Sequence, residues 1–252
     1  MSQKQNQPNK LAGFFHGIDP ASKGDYYVDV VHLLTHKPTS NTEVQAKDFK
    51  WNPFLVDIIR LKKRDPNEIM DIQIRQFNKF PPMFATIDSS REDFLASALQ
   101  RKYGETRIIP MKFQNVGSSN TKFQLKQLGF AYIDAGYEWP DYALVEKRYP
   151  RFAKLLRLLK KEMMHEQQKS TETGRVTFSH PIGKHNDLVH AWEMSLNSVM
   201  TYQKKNLGFE KRGVDNPEYA DVLASIYKNY KSSTDVNDEV PVYDRAMSNS
   251  VL

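Results

Sequence analysis

The order of the predicted secondary-structure elements indicates an α/β protein built around a mixed β-sheet. Three runs rich in β-branched and aromatic residues, at 11–19, 26–35 and 54–61, predict strands that pair as an antiparallel meander. The turn residues at 20–25 allow a short connection between the first two strands, which favours a hairpin. Helix-type and strand-type patterns then alternate, which predicts that the sheet continues with parallel strands.

The later elements follow from local start and stop signals. Asp65, Pro66 and Glu68 are typical of a helix start, and this helix should end before Pro81. Further strands are expected at 83–88, 106–113 and 176–179, and further helices at 90–104, 121–129, 150–167 and from about 186. An antiparallel meander followed by alternating helices and strands is the plan of the ribonuclease H-like fold, in which helices flank the sheet. Several other α/β folds also begin with a hairpin, so the order of elements alone leaves them open.

Charge is unevenly distributed along the 252 residues, whose net charge is +6. Residues 206–252 contain eight acidic and five basic side chains and so carry −3, which leaves +9 for residues 1–205. We therefore expect a flexible N-terminus at 1–10, one ribonuclease H-like domain at 11–205 and an acidic C-terminal appendage at 206–252. A basic body indicates a polyanionic partner such as nucleic acid.

Several absences narrow the class of protein. The chain has no cysteine, so any metal must be held by oxygen or imidazole ligands. No apolar run reaches the length of a membrane span and the start, MSQKQNQPNK, is not a signal peptide, so a soluble intracellular protein is expected. The sequence contains no P-loop of the form G-x-x-x-x-G-K-[ST], so an ATPase of that class is excluded.

Three aspartates occupy positions where ligand sites collect in α/β sheets. Asp19 ends the first strand, Asp88 ends the fourth, and Asp187 lies in the first turn of the last helix. Clustered carboxylates repel one another unless cations neutralise them, and Mg²⁺ or Mn²⁺ prefers such oxygen ligands. The sequence therefore predicts a two-metal site at these aspartates. The alternative is that each is only a turn former or a helix cap.

Two other aspartates, Asp29 and Asp57, lie inside predicted strands. They alternate with valine and isoleucine residues, so we expect them to lie on the solvent side of the sheet. His16, in the first strand, is expected to be packed rather than catalytic.

The three aspartate segments together resemble the nuclease motifs of viral large terminases, a family within the ribonuclease H-like superfamily. The segments are Gly17-Ile18-Asp19-Pro20-Ala21 with Gly24-Asp25, then Ala85-Thr86-Ile87-Asp88-Ser89, then His185-Asn186-Asp187-Leu188-Val189-His190-Ala191. Each motif alone identifies the family only weakly. The three motifs together, with their spacing over residues 11–204, are specific. The resemblance implies metal-dependent cleavage of double-stranded DNA during packaging of concatemeric viral genomes. It also implies that Asp19, Asp88 and Asp187 hold the Mg²⁺ or Mn²⁺ ions.

The chain departs from this family at the third motif. Many members have an acidic residue directly before the third aspartate and another acidic residue three positions after it. This chain has Asn186 and His190 at these two positions. We therefore expect one ion to be held more weakly than the other. The partners implied by the resemblance are double-stranded DNA, a portal protein and a terminase ATPase or small subunit, with action in the host cytoplasm.

Contacts with DNA are expected mainly from a basic segment. Residues 147–161 contain seven basic side chains and no acid, which favours a helix face that follows phosphates. The alternative is a merely solvated face. The candidate DNA-contacting residues are Lys112, Lys154, Arg157, Lys160, Lys161, Lys184 and His185.

Two other functions stay open at this point. One is a structure-selective DNA resolvase on the same fold, which requires a dimer with two sites. The other is a non-catalytic module that binds DNA or a capsid.

Overall fold

A computed structural model describes residues 10–20, 26–38, 49–62, 65–90, 93–113, 121–170, 176–179, 181 and 186–207. Its strands are β1 Lys10–Asp19, β2 Tyr26–Pro38, β3 Phe49–Lys62, β4 Pro82–Asp88, β5 Ile108–Met111, β6 Gln167–Ser170 and β7 Val176–Ser179. Its helices are α1 Pro66–Lys79, α2 Asp93–Tyr103, α3 Thr121–Asp134, α4 Tyr142–Arg148, α5 Pro150–His165 and α6 Asp187–Leu207.

The central sheet has the strand order β3-β2-β1-β4-β5. Strand β1 pairs with β2, and β2 with β3, in antiparallel fashion, as predicted for the meander. The β1–β4 and β4–β5 pairs are parallel. The predicted ribonuclease H-like mixed sheet flanked by helices is therefore confirmed. Strands β6 and β7 form a separate antiparallel hairpin.

Helices cover both faces of the sheet, so alternate residues of a strand contact different layers. In β1, Ile18 packs in one core cluster with Phe77 of α1. Phe15, on the other face, packs with Val199 of α6. The second face also carries the core cluster that contains Trp192 of α6. A sheet covered in this way on both sides presents its edges, rather than a face, to solvent.

The expectation that Asp29 faces solvent is wrong, because α1 covers that side of the sheet. Asp29 is fully buried, and its two carboxylate oxygens each lie 3.1 Å from Nδ1 of His16. Gln73 of α1 donates a further hydrogen bond of 3.1 Å to it. His16 is packed, as predicted, and donates from Nε2 to the Phe80 carbonyl at 2.9 Å. Asp57, on the outer strand β3, is only 19% exposed.

Strand β6 has no predicted counterpart, and two further elements differ from the sequence prediction for local reasons. Helix α4 has no predicted counterpart, because it buries no side chain and therefore shows no apolar stripe. Its start is fixed by Asp141, whose carboxylate accepts from the Ala143 and Leu144 amides at 2.9 and 3.2 Å. Strand β5 is shorter than the predicted 106–113, and its Pro110 has no amide hydrogen to donate to a ladder.

The predicted terminal segments lie almost entirely outside the described residues. The flexible N-terminus at 1–10 and the acidic appendage at 206–252 therefore stay predictions. Helix α6 continues to Leu207, slightly past the predicted domain boundary at 205. Within the described part of the chain, no helix has the length and apolar character needed to cross a membrane.

Candidate active site

The carboxyl ends of β1 and β4 lie side by side and carry two of the three predicted aspartates. Gly17 is opposite Thr86 in the parallel register, so Asp19 and Asp88 follow at neighbouring positions two residues further on. Gly17 and Thr86 both contact α6. Because side chains alternate along a strand, Asp19 and Asp88 project from the same face as these two residues. Both aspartate side chains are partly exposed.

Helix α6 brings the third aspartate to the same edge. A Cβ added to Gly17 would lie 1.9 Å from the Ala191 carbonyl oxygen, so the helix rests directly on the β1 backbone. Further along α6, Val199 packs against Phe15, which shows that the helix runs antiparallel to β1. The N-terminal end of α6 therefore lies at the carboxyl end of β1. Asp187 begins the helix there, one turn before Ala191.

The donor chemistry of this edge fits a hard divalent cation, whereas the side chains are not gathered around one point. Carboxylate oxygens are the ligands that Mg²⁺ and Mn²⁺ prefer. Among the described residues, however, no three side chains of histidine, aspartate or glutamate are close enough to hold a metal ion as they stand. Asp88 accepts a 2.8 Å hydrogen bond from the Ser90 amide. As they stand, Asp19, Asp88 and Asp187 therefore share an edge of the sheet without forming a closed metal site.

A buried cluster of charges joins three helical segments behind this edge. Lys126 of α3 lies between Glu166, which follows α5, and Glu193 of α6, with Nζ 3.0 and 2.9 Å from their carboxylate oxygens. All three side chains are fully buried. Burial acts to lower the pKa of Lys126, but the two carboxylates outweigh it and the pKa is raised above its ordinary value. Lys126 therefore stays charged and neutralises part of the buried negative charge.

Lys122 extends this cluster towards β1. It precedes Lys126 by one turn on α3, and residues four apart lie on the same helix face. Electrostatic interactions link Lys122 to Asp19 as well as to Glu166 and Glu193. Burial, and next the charge of Lys126, lowers the pKa of Lys122 in spite of these carboxylates. The charge of Lys122 therefore acts on Asp19 as well as on the buried glutamates.

The carboxyl end of β5 borders the same edge of the sheet. Met111 is opposite Asp88 in the parallel register, and Lys112 follows with an exposed side chain. The next residue, Phe113, has its ring centroid 5.8 Å from that of His190 on α6. Lys112, one of the predicted DNA contacts, is therefore close to the strand end that carries Asp88.

The basic side chains predicted for α5 fall into two groups. Arg157 forms an ion pair of 2.6 Å with Glu146 of α4 and lies over a tyrosine ring. Lys160 is partly buried over a tryptophan ring, and burial lowers its pKa. Lys154 and Lys161, in contrast, are exposed. Their charges are thus the more accessible of the four to an approaching polyanion.

The segment between β7 and α6 carries two further predicted DNA contacts. Lys184 and His185 lie there, outside the described residues, and their role stays a prediction. Asn186, which follows them, is buried.

The sequence prediction does not include the charged residues behind the site. These are Lys126, Glu162, Glu166 and Glu193. A signal for two of them exists in their spacing, because Glu162 and Glu166 are four apart and place like charges on one helix face. Like charges in that arrangement are unfavourable in a solvated helix, so they indicate partners elsewhere in the fold.

A serine and a histidine that are in contact elsewhere do not form a nucleophilic site. His32 has Nδ1 2.7 Å from Ser195 Oγ and Nε2 2.6 Å from the Tyr137 hydroxyl. Ser195 Oγ donates to the Trp192 carbonyl at 2.7 Å. All of these side chains are buried. Burial lowers the pKa of His32 to about 3, so the ring is neutral and the network is structural.

Comparison with known proteins gives a likeness in structure. No protein-family model matches the chain, and no curated protein matches its sequence. In structure the chain resembles the nuclease domains of phage large terminases. That of thermophilic phage G20c, with bound magnesium, gives a TM-score of 0.49 at 14% identity, covering 77% of this chain and 89% of that one.

Two further domains of this kind are similar to a comparable degree. The Thermus phage P74-26 domain gives a TM-score of 0.47 at 14% identity, covering 72% of this chain and 77% of that one. The bacteriophage SPP1 domain, with bound Mn, gives 0.41 at 13% identity, covering 76% and 89%. At such identities the likeness concerns the path of the chain alone, and the bound metals belong to those proteins.

Proposed function

We propose that this chain is a metal-dependent endonuclease that cleaves double-stranded DNA, acting on concatemeric viral genomes during packaging. The observation that carries the proposal is the single edge of the sheet shared by Asp19, Asp88 and Asp187. Three elements far apart in sequence, β1, β4 and α6, contribute one aspartate each to it. Carboxylates that share one partly buried edge of the sheet repel one another and lose hydration, so such an arrangement favours cation binding.

In this proposal Asp19, Asp88 and Asp187 hold two Mg²⁺ or Mn²⁺ ions. Such ions, when bound, activate a water for attack on a phosphodiester and stabilise the departing oxygen. The contribution of the chain is to hold the carboxylates in place, on two paired strand ends and on a helix seated against β1. Lys122 offers a positive charge to a phosphate at the same edge.

Exposed basic residues after β5 and on α5 support DNA as the substrate. Lys112 follows β5, while Lys154 and Lys161 project from α5. The end of α5 reaches the first turn of α6, where Glu162 accepts a 3.0 Å hydrogen bond from the Leu188 amide. Contacts of lysine with phosphates position a duplex without reading its bases. In the same proposal the protein acts in the host cytoplasm, and its protein partners are a portal protein and a terminase ATPase or small subunit.

Plasmid cleavage by the purified chain tests this function. Supercoiled plasmid should be cut in Mg²⁺ or Mn²⁺ and left intact in EDTA. Asp19→Ala, Asp88→Ala and Asp187→Ala should each abolish cleavage without unfolding the protein, because each removes a carboxylate ligand. Asp71→Ala, at an exposed position on α1, is the matched control and should cut normally.

Near-normal cleavage in Mn²⁺ by any two of the three active-site variants would show that the site is wrong. DNA binding without cleavage in any metal would instead favour the non-catalytic module. Preferential cutting of a four-way junction by a dimer would favour the resolvase.

A further inference from the structure

Both neighbours of Asp187 are held by glutamates at the end of α5. Asn186, the residue before it, donates a 2.9 Å hydrogen bond from Nδ2 to Oε1 of Glu166. Leu188, the residue after it, donates a 3.0 Å hydrogen bond from its backbone amide to Oε2 of Glu162. Glu162 lies in the last turn of α5, and Glu166 is the residue that follows the helix. We call these two glutamates the α5 clamp.

The α5 clamp is itself held from two sides. Glu166 pairs through Oε2 with Lys126 at 3.0 Å. Glu162 has Oε1 3.7 Å from the guanidinium of Arg60 on β3, and that guanidinium lies 3.5 Å over the ring centre of Tyr26. These contacts come from α3 and from the sheet, so they fix the clamp relative to the strands as well as to α6.

Burial of the clamp needs a physical reason. Glu162 is 4% exposed and Glu166 is fully buried. Apolar side chains of similar volume often stabilise a fold as well as a buried ion pair does, or better. An apolar side chain, however, cannot accept a hydrogen bond from an N–H group. Each clamp glutamate accepts an N–H from a residue next to Asp187, one on either side of it.

We propose that Glu162 and Glu166 are positioning residues for Asp187. The two hydrogen bonds fix the chain on either side of this aspartate and so set the direction in which its carboxylate leaves the helix. Groups that hold metal ligands in this way are worth about 10- to 100-fold in metal affinity or activity. The inference rests on the proposed function, because it assigns the clamp to the metal site.

Three variants separate the hydrogen bond from charge and from folding. Glu162→Gln keeps an oxygen that can accept from the Leu188 amide, whereas Glu162→Met keeps the length of the side chain and removes the acceptor. Asn186→Ala removes the hydrogen bond to Glu166 without adding a charge. Glu146→Met is the control, because Glu146 is an exposed glutamate in an ion pair on α4. Each variant of the full chain is titrated calorimetrically with Mn²⁺, and amide hydrogen exchange is followed in the first turn of α6.

Glu162→Met and Asn186→Ala should each weaken Mn²⁺ binding by about tenfold or more and speed exchange in the first turn of α6. Glu162→Gln and Glu146→Met should stay close to the unaltered protein in both measurements. Unchanged affinity in folded Glu162→Met and Asn186→Ala would overturn the positioning role. Equal losses in Glu162→Gln and Glu162→Met would overturn it too, because charge rather than the hydrogen bond would then matter. If Glu162→Met does not fold, Asn186→Ala decides alone.

Failure of the proposed function gives a different result. Absence of saturable Mn²⁺ binding by the unaltered protein, or equal binding by Asp187→Ala, would overturn the metal site at Asp187 and the role of the α5 clamp with it.

Discussion

Replacing Gly17 by alanine adds one methyl group where β1 and α6 touch. The new carbon would lie 1.9 Å from the Ala191 carbonyl oxygen, 2.2 Å from the Ser195 amide nitrogen and 2.9 Å from the Met194 carbonyl carbon. All three are backbone atoms of α6, so no side-chain rotation relieves the clash. Ordinary contact begins at 3.4 Å, so the helix must withdraw by the difference between 3.4 and 1.9 Å, which is 1.5 Å.

This withdrawal should lower both stability and activity. Inserting a methyl group into a packed interface costs about 1–3 kcal/mol, and we expect the upper end because backbone atoms are involved. For a domain of this size each kcal/mol lowers the unfolding midpoint by about 2–4 °C, so Gly17→Ala should lower it by about 6–12 °C. The same shift moves Asp187 away from Asp19 and Asp88. A displacement of about 1 Å at reacting groups can cost about 100-fold in rate.

Thermal unfolding followed by circular dichroism and the initial rate of plasmid nicking measure the two effects. Gly104→Ala is the control, since Gly104 has a φ of +97° and an added Cβ there meets no atom within 4 Å. It should cost about 1–2 kcal/mol of backbone strain alone and leave nicking unchanged. A Gly17→Ala variant that is no less stable than Gly104→Ala and nicks DNA at the unaltered rate would contradict the close contact between α6 and β1.

Three further predictions concern buried charge, pH and DNA contact. Lys126→Met leaves two buried glutamates without their cation and should lower the free energy of unfolding, measured in urea, by about 3–5 kcal/mol. Changing both glutamates to glutamine as well should restore this free energy. No loss in Lys126→Met would show that the cluster is hydrated. Burial lowers the pKa of His32 from 6.5 to about 3. Between these two pH values His32 therefore binds a proton in the unfolded chain and not in the folded chain. His32 should therefore make stability fall by about 1.4 kcal/mol per pH unit as the pH drops from 6.5 towards 3, and a His32→Gln variant with an equally steep profile would contradict this. Lys161→Glu should weaken DNA binding alike for all DNA sequences, and the slope of log affinity against log salt concentration should become shallower by about 0.9 per lost phosphate contact. An equal effect of Lys204→Glu, at the far end of α6, would show that only the net charge of the protein matters.

The sheet and the edge that carries the aspartates could be predicted because their signals are local. The β-branched runs of the meander and the change to alternating helices and strands are visible within short windows of sequence. Asp19 and Asp88 each end an apolar run, which marks a strand end without knowledge of the fold. The parallel pairing of β1 with β4 then makes these two ends neighbours.

The surroundings of the site could not be predicted because they depend on packing between distant segments. Lys126 meets Glu166 and Glu193 only after α3 and α6 have packed together, and neither Lys126 nor Glu193 has a local signal for burial. Asp29 alternates with apolar neighbours as a solvent-facing residue would. Its burial follows from the position of α1, which brings Gln73 onto that face of the sheet.

Anomalous scattering from Mn²⁺ in crystals of the full chain would show whether an ion binds at this edge of the sheet, because it locates a bound ion without reference to activity. We predict a signal among Asp19, Asp88 and Asp187, with their carboxylate oxygens turned towards it, and its loss in Asp187→Ala. A signal confined to other residues, or none at this edge at a Mn²⁺ concentration that supports DNA cleavage, would contradict the metal site.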